Sequence, residues 1–237
     1  MDCNAYDALT FDVYGTLIDW EPAILARLSE FLEGQGIAPG RPAILDAFDR
    51  ARAHYQVLQP ARPYPRVLAS AFAYIADEFG AEIDRAAQQA FAASVGEWPA
   101  YDDSLGAMAR LGDRFKLGAL TNMDDASFAK SHARLGNCFD VVVTAERSGA
   151  YKPALPHFVL GLTDLAAQGI PPARVLHVAQ SLRADVRPAN LLGLDVVWID
   201  RADRGLGHTG FGAELAQPLA AYPSMAAFTD AFLGQTG

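Results

Sequence analysis

An α/β fold, with a doubly wound parallel sheet interrupted by an all-helical insert, is what this 237-residue chain predicts. Three features point to it. From Trp98 onward, short β-branched runs alternate with helical stretches, as in a parallel sheet covered on both faces. Between about 18 and 95 no credible strand is found. The first apolar run, Tyr6 to Phe11, stops on a carboxylate, Asp12, at the strand end where such sheets place their ligands.

Taken in order, Tyr6 to Phe11 reads as a short buried strand, and Gly15 lets the chain turn away sharply after Asp12. Ile24, Leu25, Leu28, Phe31 and Leu32 recur at helical spacing between Trp20 and Gly36, and Gly34 and Gly36 close that helix. Pro42 opens a second helical stretch with Ile44, Leu45, Phe48 and Tyr55 on one side. Gln59 to Pro65, with prolines at 60, 63 and 65, is a break. Two more helices are expected, over 66–79 and 85–95. Strands are then expected over 116–120, 139–143, 175–178 and 196–199, with helices near 103–112, 125–135, 155–168 and 183–192. Right-handed crossovers would wind these units into one sheet. Ser224 suits the N-cap of a closing helix bearing Met225, Phe228 and Phe232. There is no internal repeat and no low-complexity segment.

Composition is that of an ordinary globular protein, 51% hydrophobic and 20% charged. The net charge of −9, with no local Lys/Arg cluster, argues against nucleic-acid binding. An anionic small substrate remains compatible, because a pocket's potential can differ from the net charge. Cys3 and Cys138 are too few, and too differently placed, for a disulfide framework or a metal site. MDCNAYDA lacks a basic region followed by an apolar run, so no signal peptide is expected. No apolar stretch reaches the length of a membrane span. A cytoplasmic protein that binds neither nucleic acid nor membrane is the expectation.

In a doubly wound sheet the residues just past each strand converge on one crevice. Here they are Asp12, Thr121–Asn122, Lys152, Gln180–Ser181 and, shortly after, Asp185. A carboxylate can attack carbon or phosphorus and form a covalent ester, and a nearby ammonium keeps it ionised. Each residue also has a plainer use. Asp12 suits a turn cap, Thr121 and Asn122 a helix N-cap, Lys152 a solvated loop and Asp185 a surface helix. Their coincidence at successive strand ends favours the chemical use.

The order Asp12-Val13-Tyr14-Gly15-Thr16, Leu120-Thr121-Asn122, Tyr151-Lys152-Pro153 and His177-Val178-Ala179-Gln180-Ser181-Leu182-Arg183-Ala184-Asp185 resembles the haloacid dehalogenase superfamily. Within it, the chain is most similar to the (S)-2-haloacid dehalogenase type II branch. The resemblance implies a Rossmann-like core domain at 1–17 and 96–237, and a helical cap domain at 18–95 that hinges near 17–20 and 95–101. It further implies Asp12 as nucleophile toward the carbon bearing halogen, with Lys152 and Asp185 positioning or activating the water that hydrolyses the ester. Thr16, Thr121 and Asn122 would hold the substrate carboxylate, the nucleophile or the halide. Tyr14, Gln180 and Ser181 would complete the substrate pocket, and a homodimer is implied as well.

Two substitutions select the branch. The superfamily's phosphatases carry a second Asp two residues past the nucleophile, where this chain has Tyr14, a phenol with a pKa of about 10. They carry a metal-holding acid where this chain has Gln180, and Mg²⁺ is usually held by carboxylates. Displacing halide needs neither acid, so no metal and no cofactor is expected. There are departures too. The dehalogenases place Ser and Asn where Gln180 and Leu182 stand, and they supply a cap arginine to the halide. Arg41, Arg50, Arg52, Arg62 and Arg66 are available for that, with Arg62 and Arg66, flanking the Pro-rich loop, preferred. Trp20 and Tyr64 suit either an apolar pocket or plain core packing, and His177 suits a structural role inside a buried strand. The alternatives to a dehalogenase are a phosphatase of a small metabolite and a weakly catalytic binding protein of the same fold.

Overall fold

The computed structural model describes residues 1–58, 62–201 and 213–234. Strand β1 (Ala8–Phe11) is followed by four helices, α1 (Glu21–Glu33), α2 (Arg41–Leu58), α3 (Tyr64–Phe79) and α4 (Arg85–Ala93). Strands and helices then alternate through α5 (Ser104–Gly112), β2 (Lys116–Thr121), α6 (Asp125–Arg134), β3 (Val141–Thr144), the single turn α7 (Ala145–Ser148) and α8 (Pro156–Ala167). The chain continues with β4 (Val175–Ala179), α9 (Arg187–Leu191), β5 (Asp195–Ile199), β6 (Ala220–Tyr222) and α10 (Met225–Leu233).

The strands form one parallel sheet in the order β3-β2-β1-β4-β5-β6. Winding runs outward from β1 in one direction and from β4 in the other, so the topological switch lies between these two neighbours. Phe11 stands level with Ala119 of β2 and Val178 of β4. That register brings the residues after three strands to one edge, where open α/β sheets bind ligands.

The expected α/β sheet and helical stretch are thus present, with local differences. Helix α3 begins at Tyr64 rather than 66, because Pro65 in the first turn forfeits no intrahelical hydrogen bond. Residues 59–61 of the expected break lie outside the described residues. The helix expected over 85–95 stops at Ala93 and tightens into a 3₁₀ turn, Ser94–Glu97. Strand β3 starts at Val141 because Asp140 turns its carboxylate onto Leu117 N and Lys116 Nζ. The helix expected over 183–192 opens with a π-type turn, Leu182–Val186. The sequence pattern gives no strand at 220–222, where only Tyr222 favours one; β6 is held by pairing with β5.

An aromatic seam runs through the helical stretch. Phe31 meets Phe72 at 4.4 Å between ring centroids, Phe72 meets Phe91 at 5.5 Å, and Phe48 meets Trp20 at 5.5 Å. The two chain crossings between β1 and α5 are tied to each other. Ile18 pairs with Ala100, Asp19 N donates to Pro99 O at 2.8 Å, and Tyr101 N donates to Leu17 O at 3.0 Å. Among the described residues no helix is long and apolar enough to cross a membrane.

Candidate active site

Asp12 extends β1 by one residue, its N–H donating to Val178 O at 3.1 Å. Gly15 turns the chain at φ +105°, and a Cβ there would come within 3.0 Å of Gln180 Oε1, so only glycine suits the turn. Thr16 is thereby brought back onto Asp12. Its hydroxyl donates to Asp12 Oδ2 at 2.7 Å and accepts from Gln180 N at 2.9 Å. Arg201, just past β5, clamps the same loop by donating to Thr16 O at 2.7 and 3.1 Å. Arg201 is itself paired with Asp103 at 2.9 Å and lies 3.7 Å over the Tyr101 ring.

Lys152 enters from the loop before α8. Its backbone is held by Asn122, whose Oδ1 accepts from Lys152 N at 2.7 Å and whose Nδ2 donates to Lys152 O at 3.3 Å. Its Nζ spends three donors on Asp12 Oδ1 at 2.9 Å, Asp185 Oδ1 at 2.6 Å and Leu120 O at 2.7 Å. Asp185 is delivered by the π-type turn, which Ser181 caps by accepting from Ala184 N at 3.0 Å. Behind Asp185, His177 Nε2 lies 3.3 Å from Oδ1, while Nδ1 lies 2.9 Å from the Thr10 hydroxyl. An Nε2–H ring satisfies both contacts. His177 is therefore a buried brace for Asp185.

Two buried carboxylates share one ammonium. Burial pushes Asp12 above the usual carboxylate range; Lys152 opposes that shift and the Asp185 charge adds to it. Asp185 also feels burial, but Lys152 and His177 hold it below its ordinary value. Burial works against the Lys152 charge, yet the two carboxylates win and raise its pKa. His157, buried and close to Lys152, is pushed down to about 4, and its Nε2 lies 3.1 Å from Thr121 O. If Asp12 must be ionised to react, activity falls as pH drops through its raised pKa. We expect the acid limb of kcat/KM above the ordinary value of ~4. A pH–rate profile with its acid limb at or below that value contradicts this assignment of charge.

Above this cluster lies a cavity of about 70 Å³. Asp12, Lys152 and Asp185 line its floor together with Asn122, Gln180 and Ser181. Trp20, Tyr64 and Trp98 form an aromatic wall, so Trp20 and Tyr64 serve pocket and core alike. Tyr14 also lines the cavity; its hydroxyl donates to Ser131 Oγ at 2.7 Å, and burial raises its pKa. Thr121 does not reach the space. It is fully buried, and its Oγ1 has no hydrogen-bond partner.

The preferred arginines are not at the cavity; Arg52 and Arg183 are. Arg66 stands two residues past Tyr64, a rotation of ~200° around α3, so turning Tyr64 inward turns Arg66 outward. Arg62 contributes only its carbonyl, which accepts from the Tyr151 hydroxyl. Asp124 is a further residue that the motifs did not reveal. It caps α6 through Ser127 N at 3.0 Å and also accepts from Tyr64 N at 3.1 Å, fastening α3 beside the site.

The donor set does not suit a divalent cation. Both Asp12 oxygens and Asp185 Oδ1 are already engaged by Thr16, Lys152 and His177, and Gln180 and Tyr14 supply no charge. Among the described residues no group of three or more His, Cys, Asp or Glu side chains converges to hold a metal.

The chain belongs to the haloacid dehalogenase-like hydrolases, whose family model matches residues 6–193. It is a hydrolase of that superfamily. Similar solved structures include the L-2-haloacid dehalogenase RSc1362, at 21% identity and a TM-score of 0.80 over 97% of this chain and 99% of that one. The L-2-haloacid dehalogenase from Xanthobacter autotrophicus with chloropropionic acid covalently bound matches at 21% identity and a TM-score of 0.77, covering 98% and 100%. YfnB from Bacillus subtilis, a candidate HAD-hydrolase bound to magnesium, matches at 20% identity and 0.76, covering 96% and 99%. At these identities the likeness shows the fold. No curated protein matches the chain.

Proposed function

We propose that the protein is a metal-independent hydrolase that removes halide from small 2-haloalkanoic acids through an ester on Asp12. An Asp12 oxygen attacks the halogen-bearing carbon; the C–O bond forms as the carbon–halogen bond breaks, and halide leaves with its electron pair. Water then attacks the ester carbonyl at Asp12 Cγ. Asp185 Oδ2, buried without a hydrogen-bond partner, is the acceptor for the water proton. Lys152 Nζ and the Thr16 hydroxyl, already on the Asp12 oxygens, stabilise the charge that develops there. The acyl–oxygen bond breaks, the proton passes to the departing oxygen, and a 2-hydroxy acid is released.

Arg52, whose Nε is buried and unpartnered, replaces Arg62 and Arg66 as the cap arginine for the halide. Residues 18–95 act as the cap and the paired crossings as its hinge, so that closure excludes water from the first step. The observation that carries the proposal is Tyr14. Its proton is committed to Ser131 and its burial makes it a weaker acid than a free phenol, a poor donor to a leaving alkoxide but no handicap when halide leaves.

Halide release from 2-chloropropionate, with and without EDTA, tests this beside a general phosphatase assay with Mg²⁺. Release unaffected by EDTA is the expected result. Mg²⁺-dependent phosphate release without halide release would put a phosphatase first, with the free Asp185 Oδ2 recruiting the cation.

A further inference from the structure

Two residues at the cavity take no part in that chemistry, and both present hydrogen-bond donors. Gln56 stands one turn beyond Arg52 on α2, so the two side chains leave the same face of the helix. Gln56 is only 5% exposed, yet its Nε2 finds no acceptor. A buried donor left unpaired is costly unless a ligand completes it. Arg183 faces it from the π-type turn after β4. Arg52 has Asp49 as an ion partner, but among the described residues no carboxylate lies within ion-pair distance of Arg183. Burial and the neighbouring Arg52 charge both push the Arg183 guanidinium below its ordinary pKa, a strain that an anion between them would relieve.

Position says which anion. Gln56 and Arg183 also line a second cavity, of about 260 Å³, which Asp12 does not reach. Its other walls include Ala53, Val57, Pro153 and Ala154, and Val57 is 79% exposed, so this space opens toward the surface. The reaction cavity of about 70 Å³ corresponds to roughly two waters at ~30 Å³ each, room for the reacting end of a small acid and little more. Gln56 and Arg183 line both spaces, so a group held between them stands at their junction.

We infer that the preferred substrate is a dicarboxylate, a 2-halo acid whose second carboxylate is held at this junction by the Arg183 guanidinium and the Gln56 amide. The planar fork of a guanidinium matches a carboxylate with two parallel hydrogen bonds. This rests on the dehalogenase proposal for the halogenated end alone.

The test uses halogen-free acids on the Asp12→Asn protein, so that no turnover is required. By calorimetry, succinate will bind at least about tenfold more tightly than propionate (~1.4 kcal/mol). Arg183→Gln will bring the ratio close to one, and Arg183→Lys, which keeps the charge, will restore part of it. Equal affinities, undetectable succinate binding, or a preference that survives Arg183→Gln would each overturn the inference. Failure of dehalogenation itself is read separately, from halide release by the unaltered protein.

Discussion

Replacing Asp12 with Asn will remove turnover, by at least four orders of magnitude, or ~5.4 kcal/mol in the barrier. The amide keeps the shape of the carboxylate and its one oxygen can still accept from Lys152, with the NH2 turned toward the Thr16 hydroxyl, but it cannot form the ester by which the reaction is proposed to proceed. Stability moves the other way. Because Asp12 has a folded-state pKa above its unfolded value, the ionised carboxylate disfavours folding once pH exceeds that value. Asn removes this cost and leaves Lys152 and Asp185 as a neutral pair. The melting temperature at neutral pH will therefore equal or exceed that of the unaltered protein. Near-normal activity, in protein shown by mass spectrometry not to have deamidated to Asp, would contradict the assignment of the nucleophile.

Lys152→Met will cost both rate and stability. It leaves Asp12 and Asp185 buried, like-charged and without the ammonium that bridges them at 2.9 and 2.6 Å. Removing one partner from a buried ionic cluster costs roughly 3–5 kcal/mol. The rate should fall by about a hundredfold or more, because the ammonium no longer stabilises charge on Asp12. The sign of the pH dependence is diagnostic. Without Lys152 both carboxylates have folded-state pKa values raised by burial and by each other, so stability is lost as pH rises through them. The variant should then melt at a higher temperature near pH ~5 than near pH ~7. A rate loss below about tenfold, or 1.4 kcal/mol, would place Lys152 at the periphery.

The sheet was legible because its signals are local. The runs 116–120, 175–178 and 196–199 are apolar and bounded by helical stretches, and all three are strands. Once the strands are placed, the parallel topology alone carries Asp12, Asn122 and Asp185 to one edge, and Lys152 joins them from its loop. What stayed hidden depends on rotation about helix axes and on tertiary contacts. Arg52 and Arg66 look alike in sequence; only the packing of α2 and α3 decides which faces the cavity. In sequence Thr121 and Asn122 form one hydroxyl–amide pair, but adjacent residues on an extended strand point to opposite faces, and Thr121 turns inward. The Arg201 clamp joins residues 185 positions apart in the chain, and the short strand β6 is held by its neighbour, so neither leaves a local pattern to find.

The proposed ester on Asp12 has a direct test. With enzyme in excess over 2-chloropropionate, in water enriched in heavy oxygen, each site turns over once. If Asp12 attacks carbon and water attacks Asp12, the first 2-hydroxy acid released carries ordinary oxygen from the carboxylate, and the heavy oxygen appears in the peptide that contains Asp12. Heavy oxygen in the first product, with an unlabelled Asp12 peptide, would mean that water attacks the substrate carbon itself and would contradict the account.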